Sequence, residues 1–251
     1  CELYPALAVQ AALGSLVGRQ YTFALERGSN LFHFVLPKLG VPAESQSSVG
    51  SSPINLHTED PIPPIDVLQP RALSLLMLRP GDAGTFTSIV PINGVAESLL
   101  LPHREWLVTA LGDSRFFHPV PDIFNFYQAP TQGRFKGDVM GFTPAAEQER
   151  SAQGFPVLYE RDNVPVLLLQ EYSNAMDPND EVALAALHEL RKLLHEKSDD
   201  YALRAGDMLI WANQRAAHGR TGKVAEPKFD GFDRLLSRTF HHPSPFQTVI
   251  G

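Results

Sequence analysis

The chain has 251 residues, of which 43% are hydrophobic and 20% are charged, and its formal net charge is −7. This length and composition predict a single domain, residues 1–251, with one substantial core. The negative charge argues against a nucleic-acid-binding protein, because no basic face is evident. No apolar run reaches the roughly 18 residues needed to span a bilayer, so we expect no membrane partner.

Cys1 is the only cysteine, which excludes an intrachain disulfide and fits a reducing, cytoplasmic location. The apolar stretch 6–17 has no basic flank ahead of it and so does not resemble a signal peptide. The chain begins with Cys rather than Met, which is compatible with a missing initial segment or with gaps elsewhere. The sequence does not predict the oligomeric state.

The first half of the chain predicts short elements separated by Pro and Gly. In order, these are a helix (5–17), a buried strand (31–36), a loop (42–53), two strands (72–79 and 85–90) and a helix (96–111). Gly18 would stop the first helix. The Gly-rich turn at 80–84 indicates that the two strands beside it form a hairpin.

The second half begins with an irregular stretch, 113–154, that is rich in Phe, Pro and Gly. It is followed by two strands (155–159 and 164–170), a helix (177 to about 194) and two further strands (208–211 and 234–240). Asp177 and Pro178 are typical of a helix N-cap and first position. Short strands therefore dominate, which predicts an antiparallel β sandwich or barrel with helices packed outside.

One short segment, His57-Thr58-Glu59, carries metal-ligand chemistry. Alternate strand positions place His57 and Glu59 on one face, where both can reach one ion, and His218 supplies a second imidazole. Two imidazoles and one carboxylate suit Fe(II) and leave three positions for a cosubstrate and O2. A catalytic zinc site with the same ligands is the competing interpretation. Taken alone, the segment is equally typical of a surface strand end.

Several segments occur together in a recognisable order over residues 30–240. They are His57-Thr58-Glu59-Asp60, Gly206–Arg215, His218-Gly219-Arg220-Thr221, Phe229–Arg238 and the Ser-rich stretch 46–51. In combination they resemble the clavaminate synthase-like, TauD-related Fe(II)/2-oxoglutarate-dependent dioxygenases, and among these the amino-acid hydroxylases. The resemblance implies a mainly β fold with flanking helices, the distorted double-stranded β-helix or jelly roll.

The resemblance also implies how Fe(II) and the cosubstrate 2-oxoglutarate would be held. His57, Glu59 and His218 would bind the iron. Arg234 would pair with the distal carboxylate of 2-oxoglutarate, because the guanidinium fork matches a carboxylate bidentately. Thr85 or Thr87 would add a hydroxyl to that carboxylate, and Thr85 fits the family spacing better.

Further residues would bind a small, amino-acid-like substrate. Arg238, on the same strand face as Arg234, would hold the substrate carboxylate, and Glu59 would also accept the substrate ammonium. Ser47 would be another polar contact, although a turn former is an equal alternative. Glu171 lies where arginine-hydroxylating relatives carry acidic residues, yet it is the only acid in 170–174, which argues against arginine. A solvent-facing strand end is a slightly better interpretation of Glu171.

The implied activity is hydroxylation of an unactivated C–H bond of a free amino acid or close derivative, with decarboxylation of 2-oxoglutarate to succinate. Glu59 argues against halogenation, because halogenases of the superfamily carry a small residue at this position. Desaturation or ring formation by the same oxidant stays open. A non-catalytic jelly-roll binding module is the other alternative, which Glu59 and Arg234 together disfavour.

Overall fold

The computed structural model describes residues 3–21, 31–40, 50, 52–59, 70–81, 84–117, 154–170, 173–222 and 226–242. Over these residues the protein is mainly β, with several antiparallel sheets and four helices. It forms two compact units. One contains the first helix and the bulk of the two larger sheets, and the other contains the remaining helices and two small sheets. No helix of the described ranges is long and apolar enough to cross a membrane.

The helices are α1 (Leu3–Val17), α2 (Ile92–Leu99), α3 (Glu105–Gly112) and α4 (Glu181–Lys197). The strands are β1 (Arg19–Tyr21), β2 (His33–Val35), β3 (Ile54–His57), β4 (Ala72–Arg79), β5 (Thr85–Pro91), β6 (Phe116–Phe117), β7 (Leu158–Arg161), β8 (Val164–Leu167), β9 (Asn174–Ala175), β10 (Asp199–Tyr201), β11 (Met208–Ala212), β12 (Ala216–Gly222) and β13 (Leu235–His242).

The chain alternates between the two larger sheets. The first has the order β1-β13-β4-β11, with β2 also paired to β13, and the second has the order β10-β5-β12-β3. The predicted hairpin of β4 with β5 is therefore wrong. β4 is buried from Ala72 to Leu78, so it takes a central position with β13 and β11 on either side. The next strand, β5, lies in the other sheet.

The two faces of the first sheet differ in chemistry, because side chains alternate along its strands. Leu73, Leu75 and Met77 of β4 join Leu236 and Phe240 of β13 in the main hydrophobic core. The opposite face carries the polar residues Ser74, Ser237, Thr239 and His241, all fully buried. Helix α1 packs over these strands and covers this polar face.

Helix α1 presents a polar residue to the sheet. The Gln10 amide, fully buried, donates to Ser74 Oγ at 3.1 Å and to the Ser237 carbonyl at 2.9 Å. Ser74 Oγ and Thr239 Oγ1 lie 2.5 Å apart, and Thr239 Oγ1 lies 2.8 Å from His241 Nε2. Burial lowers the pKa of His241, an effect partly offset by the Gly18 backbone. These buried polar groups thus bond one another only in part, because Gln10 Oε1, Ser237 Oγ and His241 Nδ1 have no hydrogen-bond partner among the described residues.

The predicted helix 96–111 is wrong in extent, because a turn divides it into α2 and α3. Pro102 is followed by His103 with a φ of 77°, and the Arg104 N–H donates to the Leu101 carbonyl at 3.2 Å. A proline followed by a residue of positive φ, closed by this hydrogen bond, is a type II turn. The spacing of apolar residues in the sequence continues across this turn, so the helical periodicity gives no sign of the interruption.

The predicted N-cap Asp177 is also wrong. Helix α4 begins three residues later, and its N-cap Asp180 accepts a hydrogen bond from the Ala183 N–H at 3.0 Å. Asp177 instead accepts from the Asn179 N–H at 2.9 Å, the contact of an Asx-turn. Both aspartates favour the bend into the helix, but only the second satisfies a free N–H of its first turn.

Candidate metal centre and anion pocket

Two neighbouring strands of the second sheet position the candidate metal ligands. His57 is the last residue of β3, Glu59 follows two residues later, and His218 lies in the middle of the adjacent strand β12. One ligand atom from each of the three side chains lies within 4.8 Å of the others. The structure thus brings together all three residues that the sequence selected as metal ligands.

Thr58 fixes the path of the chain between the first two ligands. It is fully buried, and its N–H donates to the Leu169 carbonyl at 2.6 Å. Its hydroxyl accepts from the Leu169 N–H at 3.1 Å and lies 3.4 Å from the Leu167 carbonyl. Because Thr58 is tied down at backbone and side chain, His57 and Glu59 project from a fixed segment.

His218 is only 9% exposed and packs against an aromatic neighbour. Its ring centroid lies 4.8 Å from that of Trp211, and the two planes are tilted by 51°. Trp211 is part of the hydrophobic core, so it limits the orientations open to the imidazole. Two imidazoles and a carboxylate are a donor set that fits Fe(II), and also zinc.

Arg234 projects into a pocket formed by residues that flank β13, β5 and β12. Its Nη2 donates to Thr87 Oγ1 at 3.0 Å. Its Nε is buried and has no hydrogen-bond partner within the described ranges. Burial, and then the charge of Arg220, lower the pKa of Arg234 to about 10, so the guanidinium is still charged at neutral pH. A buried cation with an unused donor fits a bound carboxylate.

Two acidic side chains of the same pocket wall, Asp233 and Asp230, are directed to backbone groups. The Asp233 carboxylate accepts from the Lys228 and Phe229 N–H groups, each at 2.8 Å. Asp230 accepts from the Phe232 N–H at 2.8 Å. These bonds shape the loop that precedes Arg234.

The other predicted site residues fall into two groups. Thr85 lines the pocket of Arg234, whereas the hydroxyl bonded to Arg234 is that of Thr87. Arg238 is partly buried, and its guanidinium carbon lies 4.7 Å above the centre of the Phe240 ring. Ser47 and Glu171 lie outside the described residues.

Three residues near the site, Thr87, Trp211 and Arg220, make contacts that the sequence did not predict. Thr87 was considered but ranked below Thr85, and Trp211 was assigned to the core alone. Arg220 received no role, although it stands two positions after His218 and so shares its strand face. That alternation was the signal that could have identified Arg220.

Residues 6–239 match the sequence model of a family described as "Taurine catabolism dioxygenase TauD, TfdA family". The chain belongs to this family. The match covers both histidines, Glu59 and Arg234, and it confirms the resemblance drawn from the motifs.

Characterised relatives of this TauD/TfdA family member are amino-acid hydroxylases. It is 28% identical over 241 residues to an L-lysine 3-hydroxylase of Catenulispora acidiphila, a match that covers 94% of this chain and 58% of the relative. It is 27% identical over 233 residues to an L-ornithine/L-arginine 3-hydroxylase of the same organism, covering 90% of this chain and 63% of the relative. The chain thus spans less than two thirds of the length of either relative.

Solved structures share the fold. An asparagine oxygenase in complex with Fe(II), 3-hydroxyasparagine and succinate superposes with a TM-score of 0.72 at 24% identity, covering 94% of this chain and 64% of that one. The non-heme iron oxygenase OrfP in complex with Fe, succinate and (3S)-hydroxy-L-Arg gives a TM-score of 0.74 at 21% identity, covering 96% and 68%. At these identities the comparison establishes a common fold.

Proposed function

We propose that this chain is an Fe(II)/2-oxoglutarate-dependent oxygenase that hydroxylates an unactivated C–H bond of a free amino acid or close derivative. The observation that carries the proposal is the convergence of His57, Glu59 and His218, with ligand atoms within 4.8 Å of one another. Two relatives that act on free amino acids support the substrate class. The cosubstrate would leave as succinate and CO2.

The alternation of the chain between sheets supports a double-stranded β-helix. Strands β2, β4, β11 and β13 lie in one larger sheet, and β3, β5, β10 and β12 lie in the other. Eight strands divided in this way between two sheets, with β1 added at the edge of the first, are typical of a jelly roll. In this fold the metal ligands would come from β3 and β12, and the cosubstrate anchor from the start of β13.

Each site residue then has a stated task. His57, Glu59 and His218 would hold Fe(II), which when bound supplies the activation of O2 that is coupled to decarboxylation of the cosubstrate. Arg234 would bind the distal carboxylate, and Thr87 would orient the guanidinium through the bond at 3.0 Å. Buried apolar neighbours, including Leu236, would keep water from this ion pair and so strengthen it.

The substrate would be held by residues that the sequence analysis selected. Arg238 would bind its carboxylate and Glu59 would accept its ammonium. Intact Glu59 favours hydroxylation over halogenation. Product mass distinguishes desaturation, which lowers the mass of the amino acid by 2 Da, from hydroxylation, which raises it by 16 Da. The partner is therefore a small molecule. The cytoplasmic location inferred from the single Cys1 stays a prediction.

The direct test is the weak visible charge-transfer band expected when Fe(II) and 2-oxoglutarate are added without O2. His218→Ala should abolish the band because one imidazole ligand is lost. His188→Ala, which removes an exposed histidine of α4, should keep it and serves as the matched control. A folded wild-type protein without the band would contradict the oxygenase assignment and favour a non-catalytic binding module.

The substrate class is tested separately. Wild-type protein with Fe(II), 2-oxoglutarate and O2 should release succinate in response to at least one of lysine, ornithine, arginine and asparagine, the amino acids of its relatives. Absence of stimulation by the full set of standard amino acids, with the charge-transfer band present, would refute the free-amino-acid assignment and leave the cofactor assignment intact.

A further inference from the structure

Helix α1 is oriented with its polar residue inward and its large apolar residues outward. Its two buried residues are Gln10, which bonds the first sheet, and Gly14, which lies against His241. Six large apolar side chains of the same helix are 40–83% exposed, namely Leu3, Tyr4, Val9, Leu13, Leu16 and Val17. A helix that is apolar on the side away from its own sheet usually packs against a second element there.

The exposed apolar surface continues from α1 onto the sheet beside it. Ile210 of β11 is 41% exposed and lies opposite Ser74, the residue that accepts a hydrogen bond from Gln10. Because its neighbours Leu209 and Trp211 pack in the hydrophobic core, Ile210 points to the side of the sheet on which α1 lies.

The seven exposed side chains of α1 and β11 form what we call the α1 surface. From the usual areas of such side chains and their exposed fractions, they present roughly 500 Å² of apolar surface. Monomeric proteins rarely leave a contiguous apolar patch larger than a few hundred Å². The α1 surface is therefore large enough to indicate a binding partner.

The charge of α1 favours a protein partner over a membrane surface. Residues 3–17 include no Asp, Glu, Lys or Arg, whereas the whole chain has a net charge of −7. Helices that lie on membranes carry Lys and Arg on their polar side, but the polar side of α1 is buried against its own sheet. Two copies of this acidic chain repel each other, and they do so least where α1 carries no charge.

We propose that the α1 surface binds a second copy of this chain in a two-fold symmetric dimer. Val9, Leu13 and Leu16 have the spacing i, i+4, i+7, which forms a stripe able to pair with an identical stripe. A two-fold axis brings the same patch of each copy together, and Leu13, in the middle of the stripe, then faces Leu13 of the second copy. The apolar area is smaller than the roughly 800 Å² per partner of a standard interface, so the dimer is reversible, with micromolar affinity.

Analytical ultracentrifugation of the full chain across the micromolar range tests the dimer. The mass of the wild-type protein should rise with concentration from one copy to two. Leu13→Glu should weaken dimerisation at least about 30-fold, because it places two like charges at the centre of the interface. Val182→Glu makes a similar change at a 49% exposed position of α4 and should dimerise like the wild-type protein.

A pair of oppositely charged variants separates self-association from other effects of the substitution. Leu13→Lys alone should be monomeric, like Leu13→Glu, because two lysines then face each other. An equimolar mixture of the two variants should dimerise again, because opposite charges meet across the axis. Circular dichroism verifies that each variant is folded. Leu16→Glu, at an 82% exposed position, replaces Leu13→Glu if that variant does not fold.

Three outcomes would overturn the proposal. A wild-type protein that stays monomeric across the micromolar range would exclude a second copy and leave the α1 surface to a different protein. A dimer that persists in Leu13→Glu would place the interface elsewhere on the molecule. Two folded, monomeric variants that also stay monomeric when mixed would exclude the symmetric contact of Leu13 with Leu13.

Discussion

Arg234 shows at the scale of one residue how a buried charge fits the proposed ligand. Its guanidinium is largely buried, yet one nitrogen is held by Thr87 and another has no partner within the described ranges. Burying a charge without a counter-charge costs free energy. A carboxylate bound there, as proposed, would offset this cost, so the burial of Arg234 would contribute to affinity for that ligand.

Truncation of the two arginines of β13 should separate cosubstrate from substrate binding. Arg234→Ala should weaken 2-oxoglutarate binding by roughly 2–5 kcal/mol, as when one partner of a desolvated charge pair is removed. Arg238→Ala should leave this affinity unchanged and abolish stimulation of turnover by the amino acid. Calorimetry without O2 and succinate release measure the two effects. The reverse pattern would exchange the roles of the two residues.

The two threonines of β5 allow a matched comparison. Thr87→Val removes the hydroxyl that holds Arg234 Nη2, so 2-oxoglutarate affinity should fall by about 1 kcal/mol, the contribution of one hydrogen bond. Thr85→Val removes a hydroxyl from the same pocket and should have a smaller effect. Calorimetric titration of both variants decides. A larger loss for Thr85→Val would show that the residue favoured by family spacing makes the more important contact.

The sequence selected three candidate ligands that the structure brings together, but it did not select the residues that support them, and the reason is physical. Few residue types can bind Fe(II), and histidine and glutamate are among them. The pattern of His57, Glu59 and His218 was therefore informative. The choice between Thr85 and Thr87 depends on where the Arg234 side chain ends, which no spacing rule specifies. Trp211 was correctly assigned to the core, but its ring contact with His218 depends on strand pairing.

At the scale of elements, helix α1 shows that a buried face need not be apolar. Its Gly14 lies against His241 so closely that an added Cβ would meet the ring Cε1. Gln10 on the same face completes hydrogen bonds with the polar side of the first sheet. The absence of a side chain at Gly14 therefore allows the close approach that these bonds require.

Two glycine substitutions test this packing. Gly14→Ala should destabilise the protein by about 1–3 kcal/mol, because the new methyl group overlaps a ring held by Thr239 and Ser74. Gly94→Ala in α2 meets nothing within 4 Å and should be neutral or stabilising by up to about 1 kcal/mol. Urea unfolding of both variants gives the comparison. A stabilised Gly14→Ala protein would contradict the close packing of α1.

The same scale explains which elements the sequence predicted. The strands 72–79 and 208–211 and the helix 5–17 were found within one or two residues, because their apolar runs and stop signals are local. The hairpin failed because neighbours in sequence need not be neighbours in a sheet. Pairing of β4 with β11 and β13 is decided by burial across the whole sheet, which lies beyond any local pattern.

At the scale of the whole molecule, sheet topology brings distant parts of the chain to one centre. Strands β3 and β12 lie far apart in sequence but adjacent in the second sheet. The candidate ligands that they position can therefore converge only after that sheet has formed, so we expect the proposed metal affinity to depend on correct folding. The family match across residues 6–239 agrees with a site built from both ends of the chain.

The pH dependence of global stability should report the buried polar face beneath α1. His241 has a lowered pKa in the folded protein, so the unfolded chain binds a proton more readily. The contribution of neutral His241 to the free energy of unfolding is therefore complete above the ordinary pKa of 6.5. It is lost as the pH falls below 6.5 toward the lower pKa of the folded protein. The free energy of unfolding should fall with a slope of at most about 1.4 kcal/mol per pH unit in this window.

Substitution of the histidine isolates this contribution. His241→Gln should flatten the decline in the free energy of unfolding below pH 6.5, measured by urea titration at several pH values, even if the variant is less stable at neutral pH. His188→Gln, at an exposed position of α4, should keep the decline of the wild-type protein. The decisive quantity is the slope and not the stability itself, because any disruptive substitution lowers stability. An unaltered slope in His241→Gln would mean that other groups titrate on acidification and that His241 does not govern the acid stability of this fold.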